Sequence, residues 1–167
     1  MKKFFYIFFI FFIPITNIYS QKVFASQNAS ASAILVIPLS IISTQGELDF
    51  GEVFISDTPI TQRLAPQNGK LFIVSGTPNR SVTFTFNSVN MSNVAWVPSA
   101  AASIDELEFV PDIELEDGAK IKNGDSHSLP FVKGIGQLDV WVGGAIKISA
   151  TQKNGNYTGQ FTLNVSY

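Results

Sequence analysis

Residues 155–167 read "GNYTGQFTLNVSY" and alternate between apolar and polar positions. The apolar positions are Tyr157, Gly159, Phe161, Leu163, Val165 and Tyr167. The polar positions that alternate with them are Gln160, Thr162, Asn164 and Ser166. Successive side chains of a β-strand point to opposite faces, so this order places all the apolar residues on one face. The stretch therefore predicts a half-buried strand with one face in a core.

The same period of two recurs upstream. Residues 81–86 read SVTFTF, and further apolar or alternating runs are separated by Gly, Pro and Asn turn signals. These runs are residues 33–44, 53–55, 60–64, 71–74, 104–118 and 136–149. No segment carries apolar residues at helical spacing. We therefore predict an all-β fold of eight or nine short strands in an antiparallel sandwich.

Proline and glycine refine this prediction. Pro38 lacks the N–H that a central strand needs, so residues 33–44 should form an edge strand, or two short strands joined at a bulge. Pro111 interrupts the alternation of its own run. The pair Gly143 and Gly144 lies inside an apolar strand, which indicates a bulge or the close approach of another backbone.

Residues 1–25 have the layout of a secretory signal peptide. A positive start is followed by an unbroken apolar run at 4–13 and then by a more polar region with small residues. Such a run is short for a membrane span. We expect cleavage after Ala25, or alternatively after Ser20, and we expect residues 26–167 to form one domain.

The charge and cysteine content of the expected domain exclude several classes of protein. Because Lys2, Lys3 and Lys22 precede it, residues 26–167 keep 8 basic and 13 acidic side chains, a net charge of about −5. Nucleic acids and anionic membranes need basic patches, so neither is expected as a partner. The chain has no cysteine, so a packed core and not a disulfide framework must stabilise it.

Candidate catalytic and metal-binding residues are few. His127 lies in "GDSHSLP", which reads as an exposed loop and lacks the Gly-x-Ser-x-Gly pattern of hydrolases. Seven carboxylates between Asp105 and Asp117 could form a calcium site or an acid pair. Their alternation with Ile113 and Leu115 favours instead the solvated face of a strand. We therefore predict no enzyme, no metal and no cofactor.

The two tryptophans raise an alternative function. An aromatic ring can stack on a sugar, as in a carbohydrate-binding module. Trp141 stands between Val140 and Val142 in a strand, so we expect it to be buried. Trp96 lies in an irregular stretch and is the better candidate for an exposed platform.

Four stretches together resemble a known family. They are "LDFG" at 48–51, "FIVSGTPNRSVTFTF" at 72–86, "LDVWVGGAIKI" at 138–148 and "GNYTGQFTLNVSY" at 155–167. In order and spacing, the chain from about residue 33 resembles family 4402 of the domains of unknown function. The motif residues that we single out are Leu48, Asp49, Phe50, Gly51, Gly143, Gly144, Gly155, Tyr157, Gly159, Phe161 and Tyr167.

The resemblance implies an immunoglobulin-like antiparallel β-sandwich on the surface of a Gram-negative bacterium, similar in its C-terminal strand to spore-coat and fimbrial subunits. It implies no catalytic residue. A structural or adhesive role, at the surface or in the periplasm, is therefore our first hypothesis. A carbohydrate-binding module and a small outer-membrane β-barrel are the alternatives, although a barrel needs longer strands and aromatic girdles.

Two segments could pair with another subunit by adding a strand to its sheet. They are the C-terminal strand and residues 29–36, whose small residues could lie in a groove. Burying each large apolar side chain of the C-terminal strand is worth about 1.5–3 kcal/mol, so this strand should belong to its own sandwich. Residues 29–36 remain the candidate for pairing with the same or another surface subunit.

Overall fold

The computed structural model describes residues 27–44, 47–94 and 105–167. Contacts divide the chain into two units, residues 1–34 and residues 35–167. The described part of the first unit, residues 27–34, is exposed and has no regular secondary structure. The predicted signal peptide lies outside the described residues. Among the described ranges, no helix has the length and apolar character needed to cross a membrane.

The second unit confirms the all-β prediction. Its strands are β1 (Ser40–Ser43), β2 (Ile60–Leu64), β3 (Lys70–Gly76), β4 (Ser81–Thr85), β5 (Val89–Asn93), β6 (Glu106–Leu115), β7 (Lys120–Ile121), β8 (Ser126–Ser128), β9 (Phe131–Val132), β10 (Ile135–Ile148), β11 (Tyr157–Thr158) and β12 (Asn164–Ser166). One 3-10 turn, Pro66–Asn68, connects β2 to β3. Within the described residues, these strands form two antiparallel sheets.

Strand β10 organises the larger sheet. It is 14 residues long, and along one edge it pairs first with β3 and then with β2. Along its other edge it pairs with β6, which is followed by β5 and β11. Strand β1 lies beyond β3 at the opposite end of the sheet, and the short strands β7 and β9 pair with β6 and β10. The smaller sheet has the order β12-β4-β8.

Two apolar clusters form the core. The first lies between the two sheets and includes Val74, Val82 and Val140, all fully buried. The second lies over the C-terminal half of β10, where residues that precede β2 pack on it in place of the smaller sheet. Phe161 contacts both clusters. Its ring meets that of Phe109 edge-on, with 5.8 Å between centroids.

The C-terminal segment is not the single strand that its alternation predicts. Strand β11 joins the larger sheet through β5, and β12 joins the smaller sheet through β4, with residues 159–163 outside both. Packed sheets lie about 10 Å apart, so a chain that changes sheet must leave the ladder. The predicted inward face survives the crossing at Phe161, which is half-buried, and at Leu163, which is buried.

The predictions for two strands, for His127 and for Trp141 are wrong. Residues 33–39 and 53–55 form no strand, and the edge strand is limited to β1. His127 is in strand β8 and not in a loop, and its ring packs against Phe84 with 6.1 Å between centroids. Trp141 is half-buried, because strand alternation places it on the sheet face away from the core.

Pro111 does not interrupt β6. On the outer edge of β6, pairing with β5 ends at Phe109 and pairing with β7 begins at Ile113. Pro111 falls in this gap, where a residue without an N–H is tolerated.

The Gly143-Gly144 pair allows the close approach that the sequence indicates, without a bulge in the pairing with β6. Residues 140–146 pair with β6 in one continuous register. A Cβ atom on Gly143 would lie 2.6 Å from the Pro66 nitrogen. The 3-10 turn therefore packs directly on β10 at the point where β10 changes partner from β3 to β2.

Candidate functional site

A cleft of about 550 Å³ opens beside the C-terminal half of β10. Its floor includes Leu107, Ile146 and Ile148, which belong to the second core cluster. Residues from 47–55 form one wall, and residues 152–158 form the other. The cleft therefore combines an apolar floor with walls of irregular backbone.

The Leu-Asp-Phe-Gly motif shapes the first wall. The side chains of Leu48 and Phe50 pack against the core. Asp49 Oδ1 accepts a hydrogen bond of 2.8 Å from the Gly51 N–H, which closes a tight turn. Gly51 has φ of +66°, a conformation that glycine adopts at little cost. The motif is thus a turn whose apolar members cover the second core cluster.

A buried polar network shapes the second wall. Gln152, itself buried, donates through Nε2 to the Glu106 carbonyl (3.1 Å) and to the Tyr157 hydroxyl (2.9 Å). The Tyr157 hydroxyl donates in turn to the Lys153 carbonyl at 2.7 Å. Buried hydrogen-bonded networks of this kind hold one backbone conformation. The wall is therefore preformed.

The structure brings six of the eleven motif residues to the cleft: Leu48, Asp49, Phe50, Gly51, Gly155 and Tyr157. The other five lie elsewhere. Gly143 and Gly144 lie within the larger sheet, Phe161 lies between the core clusters, and Gly159 packs against Met91. Tyr167 forms a separate contact on the N-terminal part of the chain.

That contact fastens the chain just before β1. The Tyr167 hydroxyl donates to the Ile37 carbonyl (3.0 Å) and accepts from the Thr77 N–H (2.8 Å). The Ile37 N–H donates to Thr77 Oγ1 at 2.8 Å. The Arg80 guanidinium lies 3.9 Å from the centre of the Tyr167 ring, a cation–π contact. We call Ile37, Thr77, Arg80 and Tyr167 the tyrosine clamp.

Sequence reasoning singled out Tyr167 but missed the rest of the clamp. Thr77 and Arg80 lie in a turn between strands, and no local pattern marks them as partners of a residue some 90 positions away. The sequence predicts a strand at residues 53–55, whereas the exposed residues Phe54 and Ile55 line the cleft. Trp96, the predicted sugar platform, lies outside the described residues.

The acidic stretch from Asp105 to Asp117 lies along strand β6. Asp112 and Glu114 both bind Lys120 of β7, with Nζ–O distances of 2.7 and 2.5 Å, and Gln67 donates to Glu114. Desolvation lowers the pKa of Lys120, but its hydrogen bonds and charge attraction to the two carboxylates outweigh this and raise the pKa. In the described ranges, no group of three or more His, Cys, Asp or Glu could hold a metal ion.

Asp105 has an unusual environment at the start of β6. Only 8% of the residue is exposed, and neither carboxylate oxygen has a hydrogen-bond partner among the described residues. Its main-chain carbonyl accepts from the Asn93 N–H at 3.0 Å. The main chain of Asp105 therefore forms a hydrogen bond within the described structure, while its carboxylate forms none.

A family assignment follows from a comparison with family models. The model described as Domain of unknown function (DUF4402) matches residues 40–167. The chain belongs to this family. The DUF4402 match begins at the first residue of β1 and takes in every strand and the whole cleft, whereas the exposed residues 34–36 precede it. The comparison of this DUF4402 chain with the curated proteins found no relative.

Proposed function

We propose that this DUF4402 protein is an exported, non-enzymatic protein of the surface or periplasm of a Gram-negative bacterium. It has a structural or adhesive role and joins other subunits by strand pairing. The observation that carries this proposal is a run of three consecutive exposed aliphatic side chains, Ile34, Leu35 and Val36. Immunoglobulin-like connectivity, which the resemblance implies, is part of the same proposal.

The run differs from ordinary surface apolar residues in being continuous along the chain. Ile34 and Leu35 are 92% and 89% exposed, and Val36 is 54% exposed. Beyond the clamp, Ile41 and Ile42 of β1 are exposed as well. Scattered apolar side chains are normal on a surface, but a contiguous set marks an interaction site.

Strand β1 presents an open edge beside this run. Within the described residues it pairs with β3 alone, and all four of its residues are exposed. An uncovered edge strand offers a row of N–H and C=O groups to another chain. Exposed apolar residues together with an open edge are the elements that strand addition uses.

The experiment compares the chain from residue 26 with a variant in which Ile34, Leu35 and Val36 are all serine. Sedimentation velocity over a concentration series should show association of the first protein and monomers of the second. Because these side chains are exposed, the variant should fold normally, which circular dichroism would verify. Monomers of both proteins at every concentration would contradict the assembly role.

Export is tested separately. The full chain should appear in the periplasmic or surface fraction of a Gram-negative host, and deletion of residues 1–25 should retain it in the cytoplasm. Cytoplasmic full-length protein would contradict the exported location.

A further inference from the structure

We propose that the cleft beside the Leu-Asp-Phe-Gly turn receives the N-terminal arm, residues 29–36, of a second copy of this chain. This inference rests on the proposed function, which supplies the self-association. It adds the acceptor site and the direction of assembly.

The cleft lies where, among the described residues, the second layer of the sandwich contains no strand. Over the first core cluster, β4 and β12 of the smaller sheet provide that layer. Over the second cluster, irregular chain that includes Leu48, Phe50 and Val53 takes their place. The floor at Ile146 and Ile148 therefore faces a gap of about 550 Å³ that apolar side chains of an added strand could fill.

The wall of this gap also offers free main-chain groups. In the described structure, the hydrogen bonds of the wall segment are local, from Gly51 to Asp49 and from Thr58 to Ser56. The main chain of residues 52–55 makes no hydrogen bond to another described part of the chain. An incoming strand could pair with these groups, and such bonds supply affinity in strand addition.

The arm has the side-chain order that such a site requires. Ala29, Ala31, Ala33 and Leu35 occupy alternate positions and would share one face of a strand, with Ser30, Ser32, Ile34 and Val36 on the other. The chain carries no charged residue from 23 to 46. Because the expected domain is acidic, an uncharged arm can approach a second copy without repulsion.

Geometry excludes the chain's own cleft for Leu35. Ser40 and Gln137 both pair with Ser75, so β1 starts beside the N-terminal end of β10. Ile146 lies nine residues further along β10, about 30 Å away at the rise of a strand. Leu35 precedes Ser40 by five residues and reaches at most about 18 Å.

Donor and acceptor therefore belong to different copies. Because β1, which follows the arm in sequence, starts beside one end of β10 and the cleft lies beside the other, the contact is heterologous, and repetition gives a head-to-tail chain of subunits.

Disulfide trapping tests this placement, and the chain is suited to it because it has no cysteine. One copy carries Val36→Cys, and the other carries Phe54→Cys in the cleft wall. The matched control is Phe131→Cys in β9, which pairs with the opposite end of β10. Phe54 and Phe131 are 84% and 66% exposed, so neither substitution should disturb folding.

Under mild oxidation, the Val36→Cys copy should link to Phe54→Cys about tenfold faster than to Phe131→Cys, as local concentration in a bound complex requires. Equal rates, or arm-to-arm links alone, would overturn the cleft assignment. If the copies associate by sedimentation but show no preference for Phe54→Cys, the proposed function stands and this site is wrong. If they do not associate at all, both fail.

Discussion

At the scale of single residues, the hydroxyl of Tyr167 is the group that fastens the start of β1. It donates to Ile37 and accepts from Thr77, so Tyr167→Phe removes both hydrogen bonds while keeping the ring. We expect the free energy of unfolding to fall by about 0.5–1.5 kcal/mol per bond. Hydrogen exchange should show faster exchange of the Thr77 amide, which loses its acceptor.

Tyr157→Phe is the control, because its hydroxyl bonds lie in the cleft wall. It should also reduce stability, but it should leave exchange of the Thr77 amide unchanged. A Thr77 amide that exchanges equally fast in both variants would show that the Tyr167 hydroxyl does not hold this contact.

Asp105 illustrates the opposite case, a residue that weakens the fold. A buried carboxylate without hydrogen bonds is unfavourable, and Asp105→Asn removes its charge at almost constant size. We expect the variant to be more stable by about 1–3 kcal/mol in urea denaturation. Asp117→Asn, which alters an exposed carboxylate that accepts from the Ala119 N–H, should bring no gain. Equal or lower stability of Asp105→Asn would contradict this expectation.

At the scale of elements, Gly143 sets how closely the 3-10 turn packs on β10. A methyl group there would meet backbone atoms of Leu64, Ala65 and Pro66, none of which is the end of a flexible side chain. Gly143→Ala should therefore cost about 1–3 kcal/mol, as overpacking does.

The comparison variant is Gly118→Ala, where nothing lies within 4 Å and only the φ of +82° opposes a side chain. It should cost about 1 kcal/mol. Thermal denaturation that ranks Gly118→Ala as the more damaging change would contradict the packing argument.

The link between β6 and β7 should depend on pH in the alkaline range. Because its carboxylate partners raise the pKa of Lys120 above the ordinary 10.5, they contribute stability that is complete below that value. This stability is lost as the pH rises through the folded-state pKa. The side chain is half exposed, so solvent screening limits the contribution to at most about 1 kcal/mol.

Lys120→Met should therefore lower stability slightly at pH 7, and the difference should shrink as the pH rises above 10.5. Lys147→Met, at an exposed position of β10, provides the control in urea titrations. A difference that grows with pH would contradict the assigned sign.

At the scale of the whole molecule, the uncharged arm predicts how assembly responds to salt. Contacts between apolar side chains and main-chain groups are screened little, whereas paired charges weaken above about 0.1 M salt. Sedimentation of the chain from residue 26 should therefore show the same or stronger association at high salt. Dissociation by salt would show that charged residues drive assembly.

The period of two was enough to predict the sheets, because burial on one face is a local signal carried by residues such as Val82 and Phe84. It could not show that the C-terminal segment changes sheet between β11 and β12. Phe161, which lies between these strands, packs against both core clusters, so the apolar alternation continues where the strand does not. The Leu-Asp-Phe-Gly motif was visible, but the cleft was not. The cleft forms where irregular chain, and not the smaller sheet, covers the larger sheet. This depends on how the strands are arranged in space, which a local sequence pattern does not show.

The tyrosine clamp has a further consequence for the order of folding. Ile37 and Tyr167 are 130 positions apart, so their contact closes nearly the longest loop that the described chain can form. Such closures have a high entropic cost and come late. The described residues that line the cleft all lie between Glu47 and Thr158, so we expect a folding molecule to offer its cleft before its own residue Ile37 is anchored. If copies assemble head to tail as we propose, a fibre would then grow in one direction. Each arriving subunit would bind the arm of a subunit that has already folded.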